Sequence, residues 1–127
     1  MLAQAVAEAP LECCGLLAGL PGGEGEDRRV LARYSLVNAL ASATDYESEA
    51  RSMFNAMKDM RLKGWDVLAV YHSHPTSPPI PSRKDRERSY SEQAVNLIIS
   101  LQSSQPEVRG WWLTESDCRE AKWGVVD

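Results

Sequence analysis

The chain has 127 residues, 43% hydrophobic and 25% charged, with 14 Lys and Arg against 18 Asp and Glu and a formal net charge of −4. That length suits one domain with its own core, and residues 1–127 are read as such. The acidic balance argues against a dedicated nucleic-acid binder, and the lack of an apolar run near 18 residues or of a charged-then-apolar leader argues against a membrane span or a signal peptide.

In chain order, residues 2–9 favour helix by propensity, and Pro10 stops it. Residues 12–20 are a mostly apolar strand ending at Pro21-Gly22-Gly23, the polar stretch 22–28 reads as a hairpin loop, and residues 29–38 return as a second strand. Adjacent Cys13 and Cys14 point to opposite faces of an extended chain, so they are poor partners for each other. With Cys118 they read as three reduced thiols of a cytoplasmic protein. Residues 46–63 carry the clearest helical period, with Ala50, Met53, Phe54, Met57 and Met60 on one face and Gly64 as the stop. That methionine stripe could be a soft binding surface, but at helical spacing it reads as core.

Residues 65–71 are a buried-type strand running into His72-Ser73-His74. Residues 75–81 hold four prolines and exclude regular structure. Ser82 opens a short charged helix to about Ser91, and strands follow at 94–101, 108–113 and 119–126. The order α-β-β-α-β-α-β-β-β predicts an α/β domain, a mixed sheet flanked by helices. Trp111-Trp112 puts one ring outward from its strand. Packing against a helix edge is the plainer reading of that ring, a subunit contact the other.

The two histidines of the chain are His72 and His74. On a continuing strand their imidazoles share a face, with Cα atoms roughly 6.5 Å apart, which suits two ligands of one tetrahedral ion. Two polar residues at a strand end fit equally well. Ser82 and Asp85 have the spacing of a capping box, which places Asp85 in the first turn of a helix at the end of a proline-stiffened loop. From there its carboxylate could approach the strand end. Two histidines and an aspartate leave a fourth position for water, the arrangement of a catalytic rather than a structural zinc. Glu12 follows Pro10-Leu11 at the head of an apolar strand, where it is not needed for packing. By itself it reads as an exposed edge carboxylate.

Taken together, His72-Ser73-His74-Pro75, the ten residues between His74 and Asp85, and Pro81-Ser82-Arg83-Lys84-Asp85 resemble the signature of the JAMM (MPN-plus) metallopeptidases. Upstream, Pro10-Leu11-Glu12-Cys13-Cys14-Gly15-Leu16-Leu17 is similar to the segment bearing that family's glutamate. The resemblance implies a cytidine-deaminase-like fold, one catalytic Zn2+ on His72, His74 and Asp85, Glu12 as general base and Ser82 as oxyanion donor. It further implies hydrolysis of the amide or isopeptide bond after the C-terminal tail of a ubiquitin-like or sulfur-carrier protein with a Gly-Gly-type end. The chain is too short for the insertions of the eukaryotic deubiquitinating relatives and has no third histidine for their second zinc, so a small carrier is expected rather than polyubiquitin. No nucleic-acid or membrane partner is expected, and the state is expected to be monomer or homodimer. Two other readings stand beside this: a non-catalytic scaffold or binding module, and a metal hydrolase acting on an unrelated small amide.

Overall fold

A computed structural model of the chain describes residues 1–20, 28–89, 91–114 and 116–125. The elements are α1 (Leu2–Glu8), β1 (Cys14–Leu20), β2 (Arg29–Leu36), α2 (Ala50–Lys63), β3 (Asp66–His74), α3 (Arg83–Glu87), β4 (Val95–Ser100), β5 (Glu107–Leu113) and β6 (Cys118–Ala121). The six strands form one sheet in the order β2-β1-β3-β4-β5-β6. Only β3 and β4 pair in parallel, with α3 in the connection between them, so the sheet is mixed as the alternation of elements predicts.

The period of two along β1 assigns its residues to two cores. Cys13 and Leu17 join Ala5 of α1, Ala69, Tyr71, Leu97 and Ile99 on one face. Cys14, Leu16 and Ala18 join Leu36, Val70 and the α2 residues Ala56 and Met60 on the other. The sheet is therefore covered on both sides, and Cys13 and Cys14 belong to opposite faces. Among the described residues no helix is long and apolar enough to cross a membrane.

α1 is tied down by a polar contact as well as by Ala5. Gln4 Nε2 donates to the Cys14 carbonyl at 3.0 Å, and its Oε1 accepts from the hydroxyl of Tyr71. The Tyr71 ring lies over Gly15, where an added Cβ would come within 2.1 Å of ring atoms, so any larger residue there would displace the ring.

Some element boundaries differ from the expected ones for identifiable reasons. The helix expected from residue 46 begins at Ala50, because residues 47–49 pair with the chain beyond β2 instead: Ala39 N donates to Glu47 O and Glu49 N to Val37 O, each at 2.8 Å. Of the expected stripe, Met60 is buried with Met53 and Met57 packed beside it, Ala50 and the 67% exposed Phe54 lie outside, and the other buried helix position is Ala56. Phe54 lies about 100° around the helix from Met53, so both cannot face the sheet squarely. α3 stops at Glu87, and the last strand ends at Ala121 rather than 126. The expected hairpin loop at 22–28 falls almost wholly outside the described residues, as does position 126.

Candidate metal centre

The site lies where β3 ends. His72 and His74 are one period apart on that strand, so both side chains leave the same face, and both are buried. β1 runs antiparallel beside them with Cys14 opposite His72. The pairing continues one residue further, with Ser73 N donating to Cys13 O at 3.1 Å and Cys13 N to Ser73 Oγ at 2.8 Å. One more step along β1's line brings Glu12 alongside His74, on the face shared with Cys14 and the two imidazoles.

Asp85 reaches the same place from the other side. Ser82 caps α3, its Oγ accepting from Asp85 N at 3.1 Å, while Asp85 Oδ2 accepts from Ser82 N at 2.8 Å. The capping box fixes the carboxylate in the first turn, as its spacing predicts. The loop before it is pinned through three successive carbonyls. Ser100 Oγ donates to Ser77 O at 2.6 Å, His74 Nδ1 to Pro78 O at 2.8 Å, and Trp111 Nε1 to Pro79 O at 2.9 Å. β4, β3 and β5 each supply one of these donors, and together they hold α3 over the strand end. Trp111 is the inward ring of the Trp111-Trp112 pair and is tied to this loop, while Trp112, the outward ring, is half-buried.

The donor atoms of the three residues lie within 4.8 Å of one another. His72 Nε2 is 3.1 Å from His74 Nε2 and 3.1 Å from Asp85 Oδ1, and His74 Nε2 is 3.2 Å from Asp85 Oδ2. A tetrahedral ion with bonds of about 2.0–2.1 Å has ligand–ligand edges of about 3.3 Å, so this triangle fits such an ion. The tautomer agrees. With Nδ1 of His74 donating to Pro78 O, neutral His74 presents the Nε2 lone pair to the carboxylate and to the other imidazole. Such a convergence of lone pairs calls for a cation, or for a proton in its place. The residues present fit a divalent metal.

The electrostatics separate the two acids. Burial, followed by the nearby Asp85 and Asp45 charges and only partly offset by His74, pushes the Glu12 carboxyl up to about 7. Glu12 is 5% exposed, so it is not the exposed edge carboxylate that its sequence position suggests. Asp85 is held well below the usual carboxylate range, because its contacts with His72, His74 and Ser82 N outweigh the burial that opposes them. For His74, burial pulls the imidazole down, yet Asp85, the Pro78 carbonyl and Glu12 together raise it.

A residue without a sequence signal organises the surroundings. Asn38, buried just beyond β2, donates through Nδ2 to Glu12 O and to Asp45 O, each at 3.1 Å. Its Oδ1 accepts from Leu40 N at 3.1 Å and Glu47 N at 3.0 Å. Ser42 O accepts from Glu12 N at 2.8 Å, so both backbone groups of Glu12 are fixed. Beside the triad a cleft of about 500 Å3 opens, floored by Leu16, Leu36, Val70 and Met53 and edged by Tyr46 and Asp85.

The profile of the family described as prokaryotic homologs of the JAB domain matches residues 1–114. A desampylase of Pyrococcus furiosus is 30% identical over 112 residues, covering 88% of this chain and 74% of that protein. A CysO-cysteine peptidase of Mycobacterium tuberculosis is 26% identical over 128 residues, covering 100% and 85% respectively. The solution structure of a Desulfitobacterium hafniense protein superposes with a TM-score of 0.83 at 35% identity, over 96% of this chain and 83% of that one.

Proposed function

The chain belongs to the family of prokaryotic homologs of the JAB domain, and on that premise we propose that it is a zinc-dependent peptidase hydrolysing the amide bond after the C-terminal tail of a ubiquitin-like or sulfur-carrier protein. The observation that carries this reading is the open three-ligand set of His72, His74 and Asp85, with a buried glutamate alongside it. The relatives support the substrate class, since one is a desampylase and another a CysO-cysteine peptidase.

In this reading His72, His74 and Asp85 hold one Zn2+. A zinc held there would supply Lewis-acid chemistry, lowering the pKa of a coordinated water to about 7 and polarising a carbonyl. Glu12 accepts a proton from the attacking water and hands it to the departing amine. With its pKa near 7 in the metal-free protein, it is matched to both halves of that transfer. A cation in the adjacent site favours its ionised, base-competent form. Ser82 spends an oxygen lone pair on the cap, which leaves its O–H free to donate to the developing oxyanion. The reduced-thiol reading of Cys13, Cys14 and Cys118, none of them in a disulfide, supports a cytoplasmic setting.

Two measurements test the proposal. Elemental analysis of the purified protein is expected to find one zinc per chain, with none retained by a His72→Ala, His74→Ala double variant. Incubation with carrier proteins extended beyond a Gly-Gly end is expected to release the extension. Glu12→Gln should slow that release by at least about a hundredfold while keeping the metal. Cleavage at the original rate by Glu12→Gln would remove the assigned base. A protein that binds no zinc would favour a scaffold, and zinc binding without cleavage of any extended carrier would favour a hydrolase of an unrelated small amide.

A further inference from the structure

The two histidines are held in unlike ways. His74 is fixed through both ring nitrogens, Nδ1 by the Pro78 carbonyl and Nε2 by the ligand triangle. His72 has only the second of these, for its Nδ1 is buried and meets no protein hydrogen-bond partner among the described residues. Metal-ligating histidines ordinarily give that N–H to a carboxylate or carbonyl, which sets the ring plane and aims the lone pair. At His72 no such partner is present among the described residues, and an aromatic ring lies on the face of the imidazole instead. The Tyr46 ring lies against the imidazole with centroids 4.6 Å apart and planes 23° from parallel.

We propose that Tyr46 is the positioning residue for His72, fixing the imidazole plane by stacking where no hydrogen bond does so and thereby setting the affinity of the metal centre. The proposal rests on the metal reading given above.

An imidazole turning about its Cβ–Cγ bond swings Nε2 out of line with Asp85 unless something restrains the plane. A flat ring packed face to face restrains it directly, whereas an aliphatic side chain of similar bulk does not. Tyr46 is itself well anchored. Its N–H donates to Asp45 Oδ1 at 2.8 Å, and the same carboxylate accepts from Lys84 Nζ of α3 at 3.3 Å and from Arg88 Nη1, just past the end of α3, at 3.1 Å. The helix that delivers Asp85 thus also fixes the segment that orients His72. Tyr46 also packs beside the α2-side core, so simple filling of space is the competing explanation.

Tyr46→Phe keeps the plane and loses only the hydroxyl, while Tyr46→Leu keeps apolar bulk and loses the plane. Zn2+ dissociation constants are measured at fixed pH by competition with a chromophoric chelator. Tyr46→Phe is expected within about twofold of the wild type, and Tyr46→Leu about tenfold weaker, the low end of the loss seen when a ligand's orienting partner is removed. In the metal-free protein, the upfield ring-current shift of the His72 Cδ2 proton should persist in Tyr46→Phe and vanish in Tyr46→Leu. Space filling alone predicts a lower melting temperature with no change in zinc affinity. Tyr46→Met takes the place of Tyr46→Leu if the latter does not fold. A leucine or methionine variant that binds zinc like the wild type overturns the proposal, as does a phenylalanine variant as weak as the leucine one. A wild-type protein that binds no divalent ion would instead sink the metal reading itself.

Discussion

Glu12 and Asp85 face one site, yet their surroundings push them in opposite directions, one up to about 7 by burial and the other down by donated hydrogen bonds. Holding Glu12 in so dry a place requires its backbone to be satisfied, and Asn38 does much of that. Asn38→Ala would strand the carbonyls of Glu12 and Asp45 and the N–H groups of Leu40 and Glu47. We expect a loss of about 2–3 kcal/mol in urea unfolding, since stranded buried polar groups cost about 1–3 kcal/mol each and some of these four can reach water. Turnover should fall further than stability explains, because Glu12 loses its anchor. A variant of unchanged stability would show that water replaces the amide at no cost. The cysteines offer a separate check at this scale. Cys13 and Cys14 are buried, and burial pushes both thiols up, Cys14 to about 12, whereas Cys118 is partly exposed. Iodoacetamide at neutral pH should therefore label Cys118 alone in the native protein and all three after unfolding. Early native-state modification of Cys14 would mean that β1 opens locally.

At the scale of elements, the proline loop between β3 and α3 explains how a short helix can carry a ligand. Its prolines lack donors, so its shape depends on what its carbonyls receive, and Ser77, Pro78 and Pro79 each receive one hydrogen bond from a different strand. Trp111→Phe keeps most of the ring and removes the donor to Pro79 O. About 1–2 kcal/mol of stability should be lost, with weaker zinc binding because Asp85 sits at the far end of the loop. Equal zinc affinity in wild type and variant would mean that the other two anchors suffice. The loop also marks where reading the sequence succeeds and where it stops. Local signals, such as period-two runs, the Ser82–Asp85 spacing and the glycine at the end of α2, place every element in its order and put both histidines on one face. Long-range partners leave no local mark. Nothing near Glu12 announces that residues 38 and 42 will cover it, and nothing near Trp111 announces a carbonyl 32 residues earlier in the chain. Phe54 departs from the expected stripe because folded surfaces commonly leave single apolar residues at the edge of a helical face exposed.

For the whole molecule, the site couples folding, protons and metal, and the signs can be worked out group by group. Glu12 is raised from 4.5 to about 7, so its contribution to stability is complete below about 4.5 and is lost as the pH climbs to about 7. His74 is also raised, so what it contributes is complete below 6.5 and lost as the pH passes its folded value. Asp85 is lowered, so its contribution is present above 3.8 and lost only as the pH falls toward its folded value. Without metal, Glu12 and His74 make the protein less stable as the pH rises from about 5 to 8 while the contribution of Asp85 stays constant, and the Glu12 shift alone is worth on the order of 3 kcal/mol. Metal works in the other direction, since the histidines must shed protons to bind it and affinity therefore grows with pH. The melting temperature in chelator should fall across this window. The gap between zinc-saturated and chelated samples should widen steadily, and the uptake of zinc near pH 6 should release protons measurable by calorimetry in buffers of different ionisation enthalpy. Parallel melting curves with and without zinc would place the ion elsewhere than among His72, His74 and Asp85.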